Sequence, residues 1–134
     1  MRIARCLAMV LGAASLACSS TAPTPVDDRI TGTVTYRERI ALPPDAVVKV
    51  ELRDVSMQDV PSILFGETTI TRPGQVPIPF EVLYEPLDID SRRTYATRAR
   101  ITVGNDLWFI NTTRYAVITH GNASHVDMVL QHVR

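Results

Sequence analysis

Apolar and polar residues alternate along most of the chain after residue 29, and no window keeps the three- and four-residue spacing of an amphipathic helix. Such alternation places successive side chains on opposite faces of a β-strand. The clearest segments are 30–36, 48–52, 76–84 and 95–103, and weaker or shorter ones are 62–71, 108–110, 116–119 and 126–133. Turn-forming residues separate them. The pattern predicts an all-β, Ig-like or transthyretin-like sandwich of seven or eight short antiparallel strands.

Three local features refine this prediction. Pro77 and Pro79 lack the backbone N–H groups that would point to one neighbouring strand, so their strand is expected at a sheet edge. Residues 108–110 are apolar at every position, which is typical of a buried central strand. Gly, Asn and Asp at 104–106 favour a tight hairpin turn between two strands.

The first 17 residues have the composition of a signal peptide, with two arginines, no acid and an apolar run that ends in small residues. The run is about 11 residues long, whereas a membrane-spanning helix needs about 20. Ala17 followed by Cys18 resembles the lipobox of bacterial lipoproteins, whose signal peptidase cuts before a diacylated Cys. The resemblance implies a lipid anchor on Cys18, and Ser19 in place of Asp implies sorting to the outer membrane. An ordinary secretory signal with a chance Cys is the alternative.

Residues 19–28 are small and polar and include prolines, which is typical of a flexible tether. The expected organisation is therefore a lipoprotein signal peptide at 1–17, the lipidated Cys and tether at 18–28, and one β-sandwich domain at 29–134. Because Cys6 leaves with the signal peptide and Cys18 carries lipid, we expect no disulfide.

Charge excludes one class of partner. The 134 residues contain 14 basic and 14 acidic side chains, and loss of Arg2 and Arg5 with the signal peptide leaves 12 against 14, a net charge of −2. Proteins that bind nucleic acid need a basic footprint, so no nucleic-acid partner is expected.

Three stretches of the chain resemble the YbaY/YscW family of Gram-negative lipoproteins. They are TGTVTYRERIALPPDAVVKVELRDVS at 31–56, GQVPIPFEVLYEPLDIDSRRTYATRARITV at 74–103 and LWFINTTRYAVITHGNASHVDMVL at 107–130. The resemblance implies a β-sandwich lipoprotein that faces the periplasm from the outer membrane. Some relatives are pilotins, which bind secretin subunits of type III secretion and help them reach the outer membrane, and others are free-standing envelope lipoproteins. No functional residue carries over beyond Cys18.

The candidate catalytic and metal-binding residues are few. His120, His125 and His132 lie near Asp127, but a metal site usually needs three or four converging ligands, so we interpret them as loop histidines and expect no metal or cofactor. The chain lacks a Gly-x-Ser-x-Gly motif, which leaves a hydrolase with a dispersed triad as a remote alternative.

Arg98 and Arg100 share one face of a predicted strand and form a candidate binding patch for an acidic protein segment or phospholipid headgroups. The simpler interpretation is a solvated strand face paired with Glu51 or Glu81. Residues that could join the patch are Arg92, Arg93 and Arg114.

The leading functional hypothesis is a non-enzymatic, lipid-anchored outer-membrane lipoprotein that holds a client such as a secretin, as pilotins do. A general cell-envelope lipoprotein that binds glycan or lipid is the second hypothesis.

Overall fold

The computed structural model describes residue 12 and residues 29–133. Its strands are β1 (Arg29–Tyr36), β2 (Ala46–Asp54), β3 (Ile63–Thr71), β4 (Ile78–Leu83), β5 (Tyr95–Val103), β6 (Asp106–Ile110), β7 (Tyr115–Val117) and β8 (His125–His132). One turn of 3-10 helix, Pro86–Asp88, follows β4. The all-β prediction is confirmed, and no helix within the described residues has the length and apolar character needed to cross a membrane. Apart from residue 12, the predicted signal peptide, Cys18 and the tether lie outside the described residues.

The strands form one hydrogen-bonded sheet in the order β3-β2-β5-β6-β8-β1-β4, with β7 paired to β5. The prediction of antiparallel strands is wrong for one pair: β1 and β8 pair in parallel, whereas the other pairs are antiparallel. The sheet curls into a nearly closed, barrel-like form. The Ig-like or transthyretin-like sandwich is not confirmed. A sandwich has two separate facing sheets, whereas here the hydrogen-bonded path joins all described strands into one curved sheet.

The two end strands of the sheet, β3 and β4, approach each other at Gly66. A Cβ atom at Gly66 would lie 2.3 Å from the carbonyl oxygen of Leu83 on β4, a distance that real Cβ atoms do not reach. Glycine is therefore required where the two ends meet.

The local predictions on strand position are confirmed in their main points. β4, which contains Pro79, pairs only with β1 among the described strands and is thus an edge strand. β6 lies between β5 and β8, and its Phe109 is fully buried, although Trp108 and Ile110 are partly exposed. Val103 pairs with Asp106 across a two-residue turn, which is the expected tight hairpin.

The alternation of apolar and polar residues along the strands also determines which side chains form the hydrophobic core. On β1, β2, β4 and β5 the residues of one parity are buried inside the curl, and aromatic rings complete the filling. The ring of Tyr36 stacks on Phe109 with centroids 4.0 Å apart, and Phe65 meets Tyr95 edge-on at 5.3 Å. Because these side chains fill the inside, the opposite parity of β2 and β5 is left on the outer surface.

Candidate functional site

The outer surface of β2 and β5 carries a row of charged side chains, which we call the arginine face. Its members are Lys49, Glu51, Arg53, Arg98 and Arg100, with Arg114 from the loop between β6 and β7. Strand register sets their neighbours: Lys49 lies opposite Arg100, and Glu51 lies opposite Arg98. The face therefore holds five cations beside one carboxylate of its own.

Glu51 is the buried centre of this face, with 9% of its side chain exposed. Its carboxylate accepts a hydrogen bond from Arg53 Nε at 2.6 Å and lies 3.7 Å from Lys49 Nζ. Burial alone would raise the pKa of Glu51, but the hydrogen bond from Arg53 and the charges of Arg53, Lys49 and Arg100 lower it below its ordinary value. Glu51 is thus held as an anion, and it is paired with two cations of its own strand, Arg53 and Lys49.

The arginines of β5 are not neutralised in the same way. Although Arg98 lies directly opposite Glu51, neither Arg98 nor Arg100 has a carboxylate within 4.0 Å among the described residues. Glu81, the other expected partner, pairs with Arg29 at 3.4 Å. Arg98 and Arg100 thus form the solvated strand face that the simpler interpretation expects, but without a close ion pair to Glu51 or Glu81 among the described residues.

Three cavities open on the arginine face, and all three share Arg98. The arginine cavity, about 210 Å³, is lined by Arg53, Arg98 and Arg114 together with Thr97 and the loop 111–113. The Leu107 cavity, about 390 Å³, has Leu107 and Ile110 among its walls. The Met57 cavity, about 430 Å³, has Met57 and Val60 among its walls. Together they form one groove with a cationic centre and apolar ends.

Hydrogen bonds fix the walls of this groove. The Asn111 side chain accepts from the Ala99 N–H at 2.9 Å and donates to the Thr113 carbonyl at 3.0 Å, which holds the loop after β6 against β5. Arg53 Nη1 donates to the Ser62 carbonyl at 3.0 Å. The centre of the groove is therefore built on strands and a pinned loop rather than on free side chains.

Of the three arginines that could have joined the patch, one does so. Arg114 lines the arginine cavity with Arg98. Arg92 instead binds Asp90, where its hydrogen bonds lower the pKa of that carboxyl to about 2, and Arg93 Nη1 donates to Asp54 at 2.9 Å.

Sequence reasoning missed Arg53 as a member of the groove. Its position was visible in the alternation, because Arg53 shares the parity of Lys49 and Glu51 on β2.

The histidines lie in separate surroundings. His120 is in the turn after β7, and the ring of His132 packs 5.2 Å from that of Phe109. Within the described residues no three His, Cys, Asp or Glu side chains group as metal ligands.

His125 belongs to a row with the composition of a nucleophile, base and acid. Thr31 Oγ1 lies 3.1 Å from His125 Nδ1, and His125 Nε2 lies 3.3 Å from Asp127 Oδ1. The His125 and Asp127 side chains are 60% and 63% exposed, so this row has no shelter from water in which a developing charge would be stabilised. We interpret it as polar pairing between the parallel strands β1 and β8.

Comparison with known proteins adds three findings. Residues 25–130 match the family described as "Type III secretion system lipoprotein chaperone (YscW)". The chain is 36% identical over 102 residues to the "Uncharacterized lipoprotein YbaY" of Escherichia coli (strain K12), which covers 75% of this chain and 53% of the relative. The chain thus spans about half the length of that curated relative.

The third finding is structural. The fold matches the solved structure of an alternative pilotin from the type II secretion system of Vibrio cholerae with a TM-score of 0.76 and 44% identity. The match covers 79% of this chain and 96% of the pilotin chain.

Proposed function

Because the chain belongs to the YscW family of secretion-system lipoprotein chaperones, we propose that it is a lipid-anchored envelope lipoprotein that holds a client protein and catalyses no reaction. The observation that carries this proposal is the similarity to a solved pilotin over nearly all of that pilotin's length. In its concrete form, the client is a secretin subunit. The lipid on Cys18 anchors the complex to the outer membrane with the β domain facing the periplasm.

The arginine face supplies a binding surface for such a client. Arg98 and Arg100 are exposed and without a carboxylate partner among the described residues, and apolar walls flank them. A surface of this kind attracts an acidic partner over distance and then holds it by apolar contact. We therefore place client binding on the arginine face.

Affinity capture from detergent-solubilised outer membranes tests the proposal. The wild-type chain should recover a secretin, and deletion of the gene should leave secretin monomers outside the outer membrane. Arg98→Glu with Arg100→Glu should abolish the capture. The matched control is Arg37→Glu with Arg39→Glu, because these two arginines are also exposed and two residues apart but lie in the loop after β1. Failure to recover any protein partner after gentle extraction contradicts the proposal.

Anchoring has a separate test at Cys18. Cys18→Ala removes the residue that carries the lipid, so the protein should move from the membrane fraction to the soluble fraction, as followed by immunoblot. A variant that remains in the membrane fraction shows that the anchor is not the lipid on Cys18.

The second candidate function is a general envelope lipoprotein that binds lipid or glycan; the similarity to the E. coli lipoprotein YbaY supports its lipoprotein part, and the exposed Arg98 and Arg100 are its candidate contacts for anionic headgroups. Purified wild-type protein would then bind anionic lipid or peptidoglycan fragments, and the Arg98→Glu, Arg100→Glu variant would not. The same variant thus reports on both candidates, and the captured molecule distinguishes them.

A further inference from the structure

The arginine cavity is lined with hydrogen-bond donors and lacks acidic side chains. Arg53, Arg98 and Arg114 contribute guanidinium groups to a space of about 210 Å³. Guanidinium groups bind carboxylates and other oxyanions through paired N–H donors, and these charge-assisted bonds are among the strongest that side chains form. The cavity therefore has the chemistry of an oxyanion site.

Most of these donors are not used inside the protein. Arg53 is partly occupied by Glu51, but Arg98 and Arg114 have no carboxylate within 4.0 Å among the described residues. The guanidinium donors of Arg98 and Arg114 are therefore available to an oxyanion that enters the cavity.

Apolar surface lies on both sides of the cationic centre. Leu107, opposite Thr102 in the register, is 40% exposed at one end, and Met57 is 62% exposed at the other, just beyond Val55. The Val55 N–H bonds to the Thr94 carbonyl, so Val55, an apolar wall of the Met57 cavity, and Leu107 each lie opposite a β5 residue four positions from Arg98. At about 3.3 Å per residue this is about 13 Å on each side.

From this arrangement we propose that the arginine cavity binds an aspartate or glutamate side chain of the client, and that the client segment carries an apolar residue about 13 Å away on each side of it. In an extended chain this spacing corresponds to about four residues. The proposal rests on the client-binding function proposed above and specifies the segment that is recognised.

The two-sided arrangement of apolar surface favours a peptide over a lipid headgroup. In a phospholipid the acyl chains leave the phosphate on one side, whereas the groove offers apolar walls at both Leu107 and Met57. A peptide can place apolar side chains on both sides of a single carboxylate.

The test uses a random 12-residue peptide library displayed on phage, selected on the full chain purified in detergent. Selected peptides should be enriched in Asp or Glu flanked by aliphatic residues about four positions away. Replacing that acid by its amide should weaken binding to the wild-type protein about tenfold or more. With Arg98→Gln the same replacement should have less than about a threefold effect. The control Arg92→Gln changes an exposed arginine outside the groove and should keep the tenfold effect.

Three results overturn the inference: no enrichment of acidic residues, a full amide effect that persists in Arg98→Gln, or tighter Arg98-dependent binding of dihexanoyl phosphatidylglycerol than of any peptide. The last result would assign the cavity to a lipid. Failure of the proposed function looks different: the acidic preference would hold in the peptide selection while no client is captured from membranes. If instead a client is captured but the peptides show no acidic preference, the function stands and this inference fails.

Discussion

Asp54→Asn should destabilise the fold strongly, because Asp54 joins the end of β2 to the loop before β5. Its side chain is 3% exposed; Oδ1 accepts from the Ser56 N–H at 2.9 Å, and Oδ2 accepts from Arg93 Nη1 at 2.9 Å. Asparagine can keep the bond to Ser56 but turns an N–H₂ group toward Arg93, which cannot accept. Loss of a charge-assisted bond and burial of an unpaired donor together cost about 3 kcal/mol. For about 105 residues this lowers Tm by about 12–24 °C.

Thermal unfolding followed by circular dichroism measures this change, with Asp45→Asn, an exposed residue in the turn before β2, as the matched control.

Burial alone would raise the pKa of Asp54, but bonds from Ser56 and Arg93 lower it below its ordinary value. A carboxyl with a lowered folded-state pKa stabilises the fold above its unfolded pKa, near 3.9, and loses this effect as pH falls through the folded pKa. The difference between wild type and Asp54→Asn should therefore narrow below about pH 4. A Tm change no larger than that of Asp45→Asn, or a difference independent of pH, would refute the reasoning.

Two further predictions concern the described fold. Gly66→Ala should lower the free energy of unfolding, measured by urea titration, by about 1–3 kcal/mol, because the new methyl group collides with the Leu83 carbonyl. The control Thr69→Ala changes an exposed residue on the same strand and should have little effect. Equal effects of the two substitutions would contradict the close approach of β3 and β4. Thr97→Val should raise the free energy of unfolding by about 1 kcal/mol, because valine keeps the shape of the side chain but lacks the buried hydroxyl, which has no hydrogen-bond partner among the described residues. A lower free energy of unfolding for Thr97→Val would show that the hydroxyl is hydrogen-bonded in solution.

Much of the strand structure could be predicted from the sequence because burial of one face leaves a period-two pattern that needs no knowledge of the neighbours. Val48, Val50 and Leu52 show it on β2, and all three are fully buried. The edge position of β4 was also predictable, since Pro79 acts through a missing donor of its own backbone.

The curl of the sheet was not predictable in this way. Alternation identifies the buried face of a strand but not which strand lies next to it, so the parallel pairing of β1 with β8 and the contact of β3 with β4 at Gly66 left no local signal.

The candidate site was predictable in part for the same reason. Arg98 and Arg100 are two residues apart on one strand, and their shared face follows from alternation alone. Arg93 looked equivalent in the sequence, but its partner Asp54 lies 39 residues away and is brought to it only by the pairing of β2 with β5. Arg114 reaches the groove from a loop, whose position no periodicity encodes.

The topology also bears on how a client can be held. β5, which carries Arg98 and Arg100, pairs with β2 on one side and with β6 and β7 on the other, so the sheet itself uses most of its backbone donors and acceptors. At the ends of the sheet, Pro79 removes a donor from β4, and the contact at Gly66 leaves no room for an added strand at that point. A client on the arginine face must then be held by side-chain charge and apolar contact rather than by backbone pairing. At 0.1 M salt, attraction between exposed charges is largely screened beyond about 10 Å, and this distance shortens as salt rises. Client affinity should therefore fall as salt rises from 0.05 to 0.5 M, whereas binding by strand addition would change little.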